Sequence, residues 1–293
     1  MNTLIAMLRR NVKLFFRDKG MFFTSLITPV ILLVLYATFL KDVYKDSFVQ
    51  NLPTLSEELL NGLVGGQLIS SILAVSCVTV AFCSNFLMVQ DKANGTIKDL
   101  RISPVKPWVL SLGYYGASLL CTLLICFVAA IICLGYMAVT GWYMSGADVV
   151  LLLLDVVLLV LFGTALSSVI NFFLSSQGQI SAVGTIVSSG YGFISGAYMP
   201  ISSFTEGLQK VIMFLPGTYG TGLMRNHAMG GTLRELEKLQ VPESAITGLK
   251  DAMDCNLYFF DSLVSIPAMY AVVGAATAAL IGIYILLNTL KKR

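Results

Sequence analysis

Few side chains in this sequence could do chemistry, and they are scattered. Asp155 is the one ionisable residue well inside a long apolar run, VVLLLLDVVLLVLF. A carboxylate in such a run can take up a proton, balance a cation or bond a neighbouring helix. It would sit about 10 Å along a helix from Asp148. A relay needs several such groups, and no second one is apparent. A carboxylate bonded within the bundle, or facing a water-filled vestibule, is therefore expected. His227 is the only histidine and has no partner at any recognisable spacing, so a surface or packed histidine is expected. Cys77, Cys83, Cys121, Cys126 and Cys133 fall in apolar runs, and Cys255 lies in a polar stretch. That arrangement offers neither a disulfide framework nor metal-ligand spacing. No G-x-x-x-x-G-K-[ST] phosphate loop, G-x-S-x-G elbow or H-E-x-x-H pair occurs. The chain is expected to hold no cofactor or metal and to catalyse nothing alone.

The densest polar stretch is VQDKANGTIKDLRISPVKPW, residues 89–108, between two long apolar runs. Asp91 suits a helix cap, and Lys92 to Ile102 suffices for about three turns. Gly95 is a weak helix residue, tolerable where another surface comes close. Pro104 and Pro107 would stop the helix before Trp108. Such a helix is either a handle for a cytosolic partner or an ordinary hydrophilic connection. Spacing favours neither.

Position for these groups must come from membrane helices. Hydrophobic residues make up 56% of the 293 and charged residues 12%. About 25% charged is usual for soluble domains. The expected fold is an all-α polytopic membrane protein. Six apolar runs reach the ~20 residues needed to span a bilayer: about 21–40, 67–90, 109–139, 148–172, 179–199 and 264–289. The first begins too late and runs too long for a cleavable signal peptide. Before it, residues 2–19 carry Leu4, Leu8, Val12, Phe15 and Phe16 on one face and Arg10, Lys13 and Arg17 on another. That pattern suits an interfacial helix, ended by Gly20.

Orientation follows the basic loops. Arg9, Arg10, Lys13, Arg17 and Lys19 cluster near the start, Lys92, Lys98, Arg101 and Lys106 in the 91–107 loop, and Lys291, Lys292 and Arg293 at the tail. Both termini are expected in the cytoplasm of a multi-pass cell-membrane protein. The basic face suits anionic lipid headgroups, so nucleic acid is not a required partner.

Two spans carry small-residue stripes. Span two has Ser70, Ala74, Cys77, Ala81 and Ser84, and span five has Gly184, Ser188, Gly192 and Gly196. Such stripes let backbones approach, within the chain, at a dimer interface or along a substrate path. Residues 200–263 form an external segment. Its first part, through Pro200 and Pro216, is too apolar for a free loop and too broken for a span, which suits a re-entrant or interfacial helical hairpin. Residues 232–254 read as short external helices split at Val241-Pro242.

The pattern resembles the membrane subunit (permease) of type-2 ABC exporters. In that family an acidic residue, Gly-Thr, a leucine and Ser/Thr-Pro mark the hairpin between spans two and three. Here these are Asp91, Lys92, Gly95-Thr96, Leu100 and Ser103-Pro104. RDKGMFFTSLITPVILLV, residues 17–34, resembles the family's first span with its mid-span proline. SGAYMPISSFTEGLQKVIMFLPGTYGTGLMR, residues 195–225, resembles its segment after span five. Lys98 stands where Glu is common, and Asp91 where Glu is more usual.

The resemblance implies a half-transporter. A second permease copy, identical or a paralogue, and separate ATPase subunits carrying ATP-Mg would complete the pump. Asp91, Lys92, Gly95, Thr96, Asp99, Leu100, Ser103 and Pro104 would form the ATPase-docking coupling helix, and cargo would pass spans two and five. Spans rich in Ser, Cys, Phe and Met with almost no charge suit an apolar or amphipathic cargo: a drug, a lipid or a hydrophobic peptide. The rival readings are an ion-coupled secondary transporter and a membrane immunity or binding protein without transport.

Overall fold

The computed structural model describes residues 2–36, 38, 41, 55–102 and 105–290. Ser103, Pro104, the end of the expected first span and the tail Lys291, Lys292 and Arg293 lie outside them. The chain begins with α1 (Asn2–Arg17) and α2 (Lys19–Leu35). Met7, Asn11 and Phe15 of α1 are buried, four residues apart, on one face. Asp18, not Gly20, divides the two helices. Its carboxylate accepts the Met21 N–H at 3.1 Å as the cap of α2, and the axes bend by 74° there.

The centre is α3 (Glu57–Ala93), 37 residues and buried almost throughout. At 1.5 Å per residue it is about 55 Å long, well beyond a ~30 Å hydrocarbon core. It takes in residues 57–66, ahead of the expected start of the second span at about 67. The reason is local: Ser56 caps it through the Leu59 N–H, and Glu57 and Glu58 sit at its positive end. After α4 (Thr96–Ile102) come α5 (Pro107–Thr140), α6 (Gly146–Phe173) and α7 (Gln177–Ile194). A 3-10 turn, α8 (Glu206–Ile212), α9 (Pro216–Lys238), α10 (Glu243–Ala252), the two-residue strands β1 (Tyr258–Phe259) and β2 (Ser262–Leu263), and α11 (Ile266–Leu290) complete the order. The strands pair antiparallel.

Among the described residues α2, α5, α6, α7 and α9 pack most extensively against α3. At Gly163 α6 comes so near that a Cβ would lie 2.9 Å from the Cys77 carbonyl oxygen. Against α6 and α9 lies α11.

Among the described residues, α3, α5, α6 and α11 are long and apolar enough to cross a membrane, and the bent α1–α2 pair would make a fifth crossing. The run expected as span five is α7, 18 residues or about 27 Å long, ended by a turn at Gly196 with φ +72°. The expected count of six therefore stands at four to five. The larger difference is α9. Sequence reading breaks residues 216–240 into a Gly-rich turn and a polar helix. The structure joins them in one 23-residue helix lying against α3, α6 and α11. Its glycines are packing positions: at Gly231 a side chain would collide with the Tyr143 backbone. The stretch ESAITGLKDAM becomes α10, after a turn at residues 239–242.

Candidate functional site

At one end of α3 the expected docking residues divide into two groups. Asp91 does not cap the following helix. It lies within α3, 6% exposed, facing inward. Its Oδ2 accepts a hydrogen bond from Arg10 of α1 at 2.9 Å and one from the Tyr114 hydroxyl of α5 at 2.5 Å. Asn11 donates to the Gly113 carbonyl of α5 at 3.3 Å. One carboxylate thus ties three helices together.

Lys92 also turns inward. Its ammonium donates to the carbonyls of Asn171, Phe172 and Leu174 at 2.9, 2.7 and 3.1 Å and lies over the Phe172 ring. These carbonyls lie in the last turn, where a helix runs short of backbone donors, although Asn171 also accepts the Leu174 N–H, and a cation there meets the negative end of the helix dipole. Lys92 is the cap of α6.

The outward group follows. Gly95, at φ +80° with open space around it, ends α3 as the left-handed residue that side chains disfavour. It is a turn rather than a place of close approach, so α4 has seven residues, about two turns, not three. Thr96 begins it. Ile97 and Leu100 are half-buried against the bundle, while Lys98, Asp99 and Ile102 face outward, Ile102 85% exposed.

The two stripes also separate. In span two, Ser70, Ala74, Cys77, Ala81 and Ser84 are all buried inside the chain. Ser84 bonds Ser118 and Thr122 of α5 at 2.7 and 2.9 Å, and next to it Asn85 donates to Ser167 and Ser168 of α6. The helices of the same chain pack against that stripe, the first of the three roles its spacing allowed. In span five, Gly184 and Ser188 border a groove of about 520 Å³ between α2 and α7. Met21 and Thr24 form its other wall, and Cys83, Phe86 and Gln90 of α3 its floor. Gly192 lies against the Tyr198 ring, and Gly196 makes the left-handed turn after α7.

Sequence reading missed a second cluster, packed against the middle of α3. Arg225 of α9, 1% exposed, pairs with Asp254 at 2.8 Å and donates to the Gly196 carbonyl and, at 3.4 Å, to Ser71. Asp254 also accepts the Ile201 N–H. Burial lifts its carboxyl above the ordinary carboxylate range, with Arg225 opposing. Cys255, expected in a polar loop, is buried, and burial pushes its thiol up to about 12, which keeps it unreactive.

Asp155 has the partner that the sequence did not reveal. Its Oδ2 lies 2.5 Å from His227 Nδ1, and its Oδ1 accepts the Tyr270 hydroxyl at 2.5 Å. The trio joins α6, α9 and α11. Asp155 and His227 are 72 positions apart, and only the depth of α9 brings them together. The available signal was the rule that a carboxylate in an apolar run needs a partner. Near the start of α6, Arg234 of α9 pairs with Asp148.

Chemically, the first place offers a small, partly exposed helix next to two residues that tie α3 to its neighbours, and the second offers buried ion pairs bonded to one another and to hydroxyls. Among the described residues no group of His, Cys, Asp and Glu could hold a metal ion. The sequence model of the ABC-2 type transporter family matches residues 2–228. No curated protein matches the chain.

Proposed function

The chain belongs to the ABC-2 type transporter family, and from that premise we propose that it is the permease half of an ATP-driven exporter, with α4 as the element on which a separate ATPase docks. The single observation that carries this reading is the division of residues 91–102: Asp91 and Lys92 grip the bundle, while Lys98, Asp99 and Ile102 are left outside. A permease without a phosphate loop takes its energy from a partner. A partner pressing on α4 would move Lys92, and with it the end of α6, and Asp91, with α1 and α5.

In this reading the basic end lies in the cytoplasm, and ATP-Mg belongs to the partner. ATP must bind one arrangement of the pump better than the other, or nothing moves. Two copies, or one copy and a paralogue, would bring their α2–α7 grooves together. Met21, Cys83, Phe86, Thr24, Thr185 and Ser188 in that groove suit an apolar or amphipathic cargo such as a drug, a lipid or a hydrophobic peptide, carried outward.

The test is purification of the tagged chain from its native membranes in mild detergent, with ATPase activity assayed on the eluate. A nucleotide-binding subunit should co-elute and be released by Asp99→Lys with Ile102→Arg. A chain that elutes alone, without ATPase, contradicts the proposal. One observation favours a second reading, ion-coupled transport: Asp155 has His227 as a second titratable group. Transport that needs no ATP and disappears in Asp155→Asn would select it.

A further inference from the structure

An apolar patch lies at the start of α11, outside any span. Leu208 and Val211 of α8 and Phe214 just after it, three positions apart, are 42%, 58% and 63% exposed. Glu206 and Lys210 of the same helix are also exposed, so α8 is two-sided. Phe214 meets Phe259 and Phe260 of the hairpin with ring centroids 5.2 and 6.3 Å apart. Phe260 and Leu263 are 59% and 57% exposed.

Phe260 sits at the hairpin tip with φ +52°. A left-handed conformation is disfavoured for a bulky side chain, by roughly 1–2 kcal/mol. Here that conformation accompanies an aromatic ring left largely uncovered. The two-residue loop between Phe259 and Ser262 accounts for the φ, but not for the uncovered ring. Three residues after Leu263, Ile266 begins α11, a span with apolar residues exposed along its length. The patch therefore continues the surface that α11 presents to lipid. Aromatic rings are favoured at the level where hydrocarbon meets headgroups.

We propose that α8 and the β1–β2 hairpin form a membrane anchor of their own, with Leu208, Val211, Phe214, Phe260 and Leu263 inserted into the leaflet at the α11 N-terminus. The occupant of the patch is lipid. The hairpin lies beyond the residues matched by the family. Anchoring fixes the depth of the end where Arg225, Asp254 and His227 are buried. The inference rests on the chain spanning a bilayer and not on ATP coupling.

The test replaces the two tryptophans, Trp108→Phe and Trp142→Phe, and introduces single probes at Phe214→Trp or Phe260→Trp. The full chain is reconstituted in phosphatidylcholine vesicles, with brominated acyl chains as one quencher and aqueous iodide as the other. Ile132→Trp on α5 serves as the lipid reference and Leu239→Trp, after α9, as the water reference. Bromolipid should quench Phe214→Trp and Phe260→Trp at least two-fold, as it does Ile132→Trp, with little effect of iodide. Quenching by iodide alone would place the patch in water. Quenching by neither would mean that protein, such as a second copy, covers it. Either result overturns the proposal. Failure of bromolipid to quench Ile132→Trp would instead indict the membrane reading itself.

Discussion

Ion pairs flank α3 near its C-terminal end and again beside its middle, about 20 residues earlier, but they are held differently. At the α4 end the Arg10 side chain is 30% exposed and Asp91 9%. On the α9 side the side chains of Arg225 and Asp254 are 1% and 6% exposed, and those of His227 and Asp155 9% and 1%. Water competes for the first pair and hardly for the second. A partly exposed pair contributes about 1 kcal/mol or less, whereas unmaking one side of a buried pair costs about 3–5 kcal/mol. The first can give under load while the second stays intact. That difference suits a lever held at a fixed point.

The largest effect should come from Arg225→Met. It strands Asp254 beside the Ile201 N–H and frees the Gly196 carbonyl. A loss of about 3 kcal/mol or more is expected, measured as earlier thermal exposure of thiols, since all six cysteines are buried. Pairing it with Asp254→Leu should recover much of that loss, because no charge is then left alone. A double variant as unstable as the single one would break the comparison.

Next is the trio at Asp155. Asp155→Asn should cost about 2 kcal/mol and Tyr270→Phe about 1 kcal/mol in the same assay. If Asp155→Asn is silent, His227 does not depend on it.

Lys92→Met sharpens the contrast at the other end. It removes the ammonium from the Asn171, Phe172 and Leu174 carbonyls at the end of α6, of which Asn171 keeps the Leu174 N–H. The expected cost is about 1–2 kcal/mol, with ATPase still bound but its activity no longer tied to transport. Loss of binding itself would make Lys92 a docking residue after all. Arg10→Gln should be the mildest, within about 1 kcal/mol.

Apolar run length and terminator residues made α3, α5, α6 and α11 legible in the sequence, because both are local. The hairpin at 91–104 was legible as a feature but not as a mechanism. Nothing in the spacing says that Lys92 reaches the end of α6, since that contact spans about 80 positions and depends on how α3 and α6 cross. The α9 helix was misread because Pro216 and five glycines weigh against a helix. Tertiary packing outweighs that preference: the same glycines admit Leu159, Leu257 and the Tyr143 backbone. Only a continuous α9 brings His227 to Asp155 and Arg225 to Asp254. The stripes were visible, yet a stripe names no partner, and α3 spent its stripe on its own chain.

The most direct test of the account is site-specific photo-crosslinking in native membranes. Benzoylphenylalanine would be placed singly at positions 99, 102 and 92. Adducts to a nucleotide-binding subunit should form from 99 and 102, and position 92 should link only within the chain, to α6. Adducts from 92, or none from 99 and 102 while an ATPase co-purifies, would contradict the claim that α4 docks outward while Asp91 and Lys92 hold the bundle.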